Sequence, residues 1–120
     1  MTIDEILNKE ILSEVLGFKI TAVSLIVRNS INITGSTEKY TPNTMPYNIY
    51  ELAHLCKTWA YKVDEYSIES GCDDCSGWVE IYDRDSCSDD EAIRYITAKT
   101  EPEAIFKATR WIYSKEKSDG

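Results

Sequence analysis

The run from Asn48 to Val63 constrains the fold more than any other stretch. Asn48-Ile-Tyr-Glu51 has the spacing of a capping box. Behind it, Ile49, Leu52, Ala53, Cys56, Trp59, Ala60 and Val63 recur at three- and four-residue steps, the pattern of a helix with one apolar stripe. Such a helix must bury that stripe against another layer. The next thirty residues supply candidates: Tyr66 and Ile68 alternate in a short strand, Gly71 to Gly77 reads as a turn, and Trp78 to Tyr82 reads as the partner strand. Asp83 to Asp90 is a second, acidic turn, and Ala92 to Lys99 a further strand. At Thr100-Glu-Pro-Glu103 a capping Thr, a first-turn Pro and a Glu at the third helical position coincide. They open a last helix, with Ala104, Ile105, Ala108, Trp111 and Ile112 as its stripe, and Lys115 to Gly120 reads as a fraying tail.

The first part of the chain is expected to hold a helix and a hairpin. Thr2-Ile-Asp-Glu5 again has capping-box spacing, and Ile3, Ile6, Leu7, Ile11, Leu12 and Val15 keep helical steps up to a glycine cap at Gly17. Phe18 to Asn29 is rich in β-branched residues, with Val23, Leu25 and Val27 alternating. Ser30 to Thr34 repeats the pattern through Ile31 and Ile33, so a hairpin turning near Asn29-Ser30 is expected. Gly35 to Tyr47, with Pro42 and Pro46 among Thr, Ser and Asn, reads as a loop and a mobile segment.

Short links between strands imply antiparallel pairing. The reading is therefore an α+β domain with a mostly antiparallel sheet of about five strands and three helices, in the order α-β-β-α-β-β-β-α. At 120 residues one domain is expected: residues 1–47 contributing a helix, hairpin and loop, 48–115 a helix, a three-stranded meander and a helix, and 116–120 a tail. An exposed strand in Phe18 to Thr34 offers an edge that a second copy could pair with.

Composition matters because the charge is located. Residues 64–91 carry eleven acids against one base, Arg84, a local charge of −10 within a chain of net charge −8. Nonspecific attachment to nucleic acid or anionic lipid is thereby disfavoured, and a basic protein is the expected partner. Asp73, Asp74, Asp83, Asp85, Asp89, Asp90 and Glu91, in the two turns, are the candidate contact residues. The plain alternative is that the charge only keeps the protein soluble. Met1 is followed by an acidic amphipathic segment rather than a basic, apolar leader, and no stretch has the length of a membrane span, so a cytoplasmic protein is expected.

The chemistry-bearing constellations are weak. Cys72-Asp-Asp-Cys75 has the spacing of half a zinc site or a redox pair. The remaining ligands, Cys56, Cys87 and His54, are badly placed: Cys56 lies on an apolar stripe, and His54 points away from it. Two aspartates between the thiols also blunt thiolate reactivity. No metal or other cofactor is assigned, Cys72 and Cys75 standing as weak metal candidates. Asp83 to Asp89 alternates oxygens like the start of a calcium loop but lacks the glycine and the final glutamate that such a loop needs. With His54 the only histidine, no nucleophile-and-base pair is legible and no enzyme is expected. The order helix, three strands, helix is shared with double-stranded-RNA-binding domains, and Lys107, Arg110, Lys115 and Lys117 sit on the last helix. The acidic turns, however, oppose phosphate binding.

The opening Asn48-Ile-Tyr-Glu-Leu-Ala-His54 with Trp59, the hairpin through Gly77-Trp-Val-Glu80, and Thr100-Glu-Pro-Glu-Ala-Ile-Phe-Lys-Ala108 before Trp111-Ile112 together resemble small phage and prophage proteins of the "ABA sandwich" type. The resemblance covers residues 48–115. It implies a viral or mobile-element accessory protein; joined to the acidic turns, the expectation is a protein that works by protein–protein binding, such as an inhibitor of a host defence or nucleic-acid-processing protein in the manner of anti-CRISPR proteins. It transfers no catalytic residue. The alternative is a zinc-dependent or RNA-binding module with the topology of a double-stranded-RNA-binding domain.

Overall fold

A computed structural model describes residues 7–36, 43–84 and 91–119. The described residues form three helices and six strands: α1 (Lys9–Leu16), β1 (Lys19–Val23), β2 (Ser30–Ser36), β3 (Asn43–Asn48), α2 (Ile49–Asp64), β4 (Ser67–Cys72), β5 (Gly77–Tyr82), β6 (Arg94–Ala98) and α3 (Glu101–Asp119). The α+β class and the antiparallel pairing are as expected. In place of one sheet of about five strands there are two three-stranded sheets, β1-β2-β3 and β4-β5-β6, both antiparallel. The order gains a strand and becomes α-β-β-β-α-β-β-β-α. The packing divides into two units, Met1–Leu55 and Cys56–Gly120, with α2 running from one into the other.

The extra strand is β3, within the segment expected to be a loop. Pro46 belongs to it, tolerated because β3 is an edge strand whose outer side asks for no ladder donor. Residues 37–42, the other part of that segment, lie outside the described residues. The side-chain oxygens of Thr34 and Thr44 meet at 2.7 Å across β2 and β3, so the hydroxyl-rich composition that resembled a loop stitches two strands together.

In the first unit, α1 starts later than its periodicity implied among the described residues. Asn8 caps it, its side-chain oxygen accepting from the Ile11 N–H at 2.9 Å; Thr2 and Glu5 lie outside the described residues. Gly17 ends the helix at φ +81°, donating to the Ser13 carbonyl at 2.9 Å, as the glycine implied. The Ser13 hydroxyl accepts from the Ile20 N–H at 3.1 Å and so ties helix to first strand. Leu7, Ile11, Leu12, Ile20, Ile31 and Ile33 are buried, each burial stabilising by roughly 1.5–3 kcal/mol. The hairpin turns at Arg28-Asn29, one residue before the expected place. Both residues have positive φ (52° and 63°), and Val27 and Ser30 bridge across them, the geometry of a two-residue turn matched to strand twist. Strand β1 ends at Val23, and Leu25 and Val27 are 65% and 64% exposed, so their alternation does not mark a buried face.

In the second unit, α3 lies on one face of the β4-β5-β6 sheet. That face presents Ile68 from β4 and Gly77, Val79 and Ile81 from β5, all buried, against Ala104, Ile105, Ala108 and Ile112 of the helix. Phe106 and Thr109 are buried as well, so α3 is enclosed over a broader arc than its predicted stripe, and Trp111 is only half-buried. The start of α3 is as signposted: Glu103 N–H donates to the Thr100 hydroxyl at 3.3 Å and Pro102 is fully buried. A further tie runs from the Ser70 hydroxyl of β4 to Glu101 Oε2 at 2.6 Å. The end of α2 packs beside α3 in the same chain direction, since Cys56 meets Thr109 and Trp59 meets Tyr113, with ring centroids 6.5 Å apart. Among the described residues no helix is long and apolar enough to cross a membrane.

Candidate functional site

With α3 covering one face of the second sheet, the site is built on the opposite face and on the turns at its ends. Strand β5 reads Gly-Trp-Val-Glu-Ile-Tyr. The pleat sends Val79 and Ile81 into the core and Trp78, Glu80 and Tyr82 to the other side, where they are half-buried. Register brings their neighbours. Glu69 of β4 and Tyr95 of β6 flank Glu80 directly, Gly71 and Thr97 flank Trp78, and Ser67 pairs with Tyr82. The outer face therefore carries three aromatic rings and two carboxylates, with Glu69 exposed and Tyr95 59% exposed.

Two local contacts hold these groups in place. A Cβ on Gly71 would stand 2.6 Å from Trp78 Cζ2, so the indole rests on the glycine and depends on its lacking a side chain. The Tyr82 hydroxyl donates to Glu80 Oε2 at 2.8 Å. That bond, then partial burial and the charges of Glu80 and Glu69, push the Tyr82 phenol above its ordinary value.

At one end of the sheet is the β4–β5 turn. Asp73 Oδ1 accepts from the Cys75 N–H at 3.1 Å, the Ser76 N–H at 2.9 Å and the Ser76 hydroxyl at 3.2 Å. These bonds, the Cys75 amide first, hold the Asp73 carboxyl below its ordinary value. Asp73 thus builds the turn, while Asp74 is exposed. At the other end of β5, about 17 Å away at roughly 3.3 Å per residue, lie half-buried Asp83 and, before β6, exposed Glu91. Asp85, Asp89 and Asp90 lie outside the described residues, as do Cys87 and most of the calcium-like run. Arg84, the base of the acidic stretch, pairs with Asp64 at 3.4 Å. The expected contact residues are therefore split between opposite ends of the sheet. The ends are joined by the face bearing Glu69 and Glu80, which a reading of the turns alone passes over. The alternation in β5 is the signal that could have found it.

The thiols separate into two kinds. Cys56 is buried, pushed up to about 12 by burial, with a bond to Thr109 opposing the shift. Cys72 and Cys75 are free and exposed, the first closing β4 and the second in the turn. Amides of that turn that could stabilise a thiolate are committed to Asp73. Exposed His54 sits on α2, and among the described residues no three His, Cys, Asp or Glu side chains gather where they could hold a metal ion.

Two basic residues of the last helix, Lys115 and Lys117, and Arg94 of β6 are engaged with rings of their own unit. Lys115 Nζ lies 5.1 Å from the Trp111 ring centroid and 6.0 Å from that of Tyr66, Arg94 lies 5.9 Å from Trp111, and Lys117 lies 5.2 Å from Tyr113. No family model, curated protein or solved structure matches this chain.

Proposed function

We propose that the chain is a small non-enzymatic accessory protein that binds a basic partner protein through the acidic side of its second unit. The observation that carries this reading is the distribution of its carboxylates. Residues 56–120 hold fifteen acids against nine bases; Glu65, Glu69, Asp74 and Glu91 are exposed on that unit, whereas three of its cations, Arg94, Lys115 and Lys117, lie over its own aromatic rings. The surface offered is negative, and charge steers a partner of opposite sign to it. Against the RNA-binding alternative stand the acidic turns and the engagement of Lys115 and Lys117 with rings of their own unit. Against zinc stands the ligand count, since among the described residues no third His, Cys, Asp or Glu joins Cys72 and Cys75 where a metal ion could be held. The attribution to phage-type proteins acting in a host cytoplasm on a defence or nucleic-acid-processing protein rests on the sequence resemblance alone.

The test is capture from a nuclease-treated host lysate on immobilised protein through a salt series, read by mass spectrometry. One basic nucleic-acid-handling protein, released by salt and lost when Asp83, Asp85, Asp89 and Asp90 are changed together to Asn, is the expected result. Undiminished capture by that variant would overturn the role of the acidic turn.

A further inference from the structure

The outer face of the β4-β5-β6 sheet has two features that the turns lack. Glu69 and Glu80 stand directly opposite each other, and among the described residues neither has a basic partner. Like charges at this spacing, with Cβ atoms about 5 Å apart, work against the sheet that carries them. Trp78, Tyr82 and Tyr95 stand around the pair. Elsewhere in this unit cations already lie over Trp111, Tyr66 and Tyr113, but among the described residues none lies over the three rings of the open face.

Resting on the basic-partner reading above, we infer that this face is the docking surface and that its occupant is an arginine-bearing polypeptide segment, with a guanidinium seated between Glu69 and Glu80 against the rings. The chemistry selects this occupant. A guanidinium is planar, so it can stack on Trp78 or Tyr95 while its fork of N–H groups reaches both carboxylates. A phosphate-bearing strand would meet two negative charges among the rings it needs for stacking. The face is also pre-organised, because Gly71 seats the indole and Tyr82 holds Glu80, so little ordering is left for binding to accomplish. An extended segment with arginine at alternate positions would present them all to one face.

The experiment is an amide- and indole-detected NMR titration of the full chain, at physiological ionic strength, with a short peptide bearing arginine at alternate positions. Its citrulline counterpart, with the same shape and no charge, is the control. The expected result is saturable shifts at the Trp78 indole and the Glu80 and Tyr95 amides, no binding of the citrulline peptide, and affinity about tenfold weaker in Glu69→Gln/Glu80→Gln. A thermal melt confirms that the variant is folded. Shifts confined to Asp73, Asp74, Asp83 and Glu91, with full affinity in the variant, would overturn the face and leave the acidic reading standing. No saturable binding at all would overturn both. Shifts of the same rings by a single-stranded oligonucleotide or an oligosaccharide, but not by the arginine peptide, would overturn the occupant.

Discussion

Glu69 on β4 and Glu80 on β5 are direct partners across an antiparallel ladder, two carboxylates where a sheet gains most from opposite charges or apolar pairs. Relieving this like-charge pairing should raise stability. Glu69→Gln/Glu80→Gln keeps the acceptor for the Tyr82 hydroxyl and removes the repulsion, so it should stabilise by about 0.2–1 kcal/mol. The gain should shrink as salt screens the charges. Urea unfolding at low and high salt measures it; a destabilised variant would contradict the repulsion assigned to this face.

The two glycines of the second sheet should respond differently to alanine. At Gly77 the added Cβ would collide with the backbone of Thr100 and Glu101, where α3 begins. Backbone cannot swing aside, so Gly77→Ala should cost roughly 1–3 kcal/mol or more. At Gly71 the obstacle is the Trp78 indole, which can rotate outward. Gly71→Ala should cost less stability and still move the Trp78 indole resonance, weakening any binding to the open face. Chemical denaturation paired with the indole spectrum separates the two effects.

Thiol chemistry should divide along burial. In the native protein, iodoacetamide should modify Cys72 and Cys75 and leave Cys56 unmodified, as read by peptide mapping. Cys56 also gives an alkaline signature. Its folded value of about 12 lies above the ordinary 9.0. The folded state therefore holds the proton more tightly, and the associated stability is complete below pH 9.0 and is lost as pH rises toward about 12. Cys56→Ala should flatten this alkaline limb of the stability curve while lowering its plateau through the cavity it leaves.

Asp73 should give the acid counterpart. Its folded value lies below the ordinary 3.8, so its contribution is present above pH 3.8 and is lost as pH falls through the folded value. Asp73→Asn keeps an acceptor for the Cys75 and Ser76 amides but does not titrate, and should flatten the acid limb. Asp73→Ala removes the acceptor and should lower stability at neutral pH as well. Urea unfolding of the three proteins across the acid range distinguishes these outcomes.

Legibility in the sequence tracks how local each signal is. The helix beginning at Ile49 and the Thr-Glu-Pro-Glu start of the last helix are legible because capping and periodicity are settled within a few residues. β3 is hidden because Asn43 and Pro46 are turn-forming residues whose strand state depends on pairing with β2. The Arg28-Asn29 turn is displaced by one residue in the sequence reading because neither residue is the glycine that positive φ favours. The candidate site is legible only at its ends. Glu69 and Glu80 lie in different strands, and only the register Glu69–Glu80–Tyr95 makes them one surface. Burial of α3 over a broader arc, including Phe106, depends on the sheet beneath it.

The most direct test of the central claim is the calorimetric affinity of the intact protein for the arginine peptide across a salt series, beside Glu69→Gln/Glu80→Gln. A docking face at Glu69 and Glu80 predicts saturable binding that weakens steeply with salt in the wild type, and about tenfold lower affinity with a shallower salt slope in the variant. Equal affinity and equal salt slope for the two proteins would contradict that face. Absence of binding at low salt would contradict the reading of this chain as a binder of basic partners.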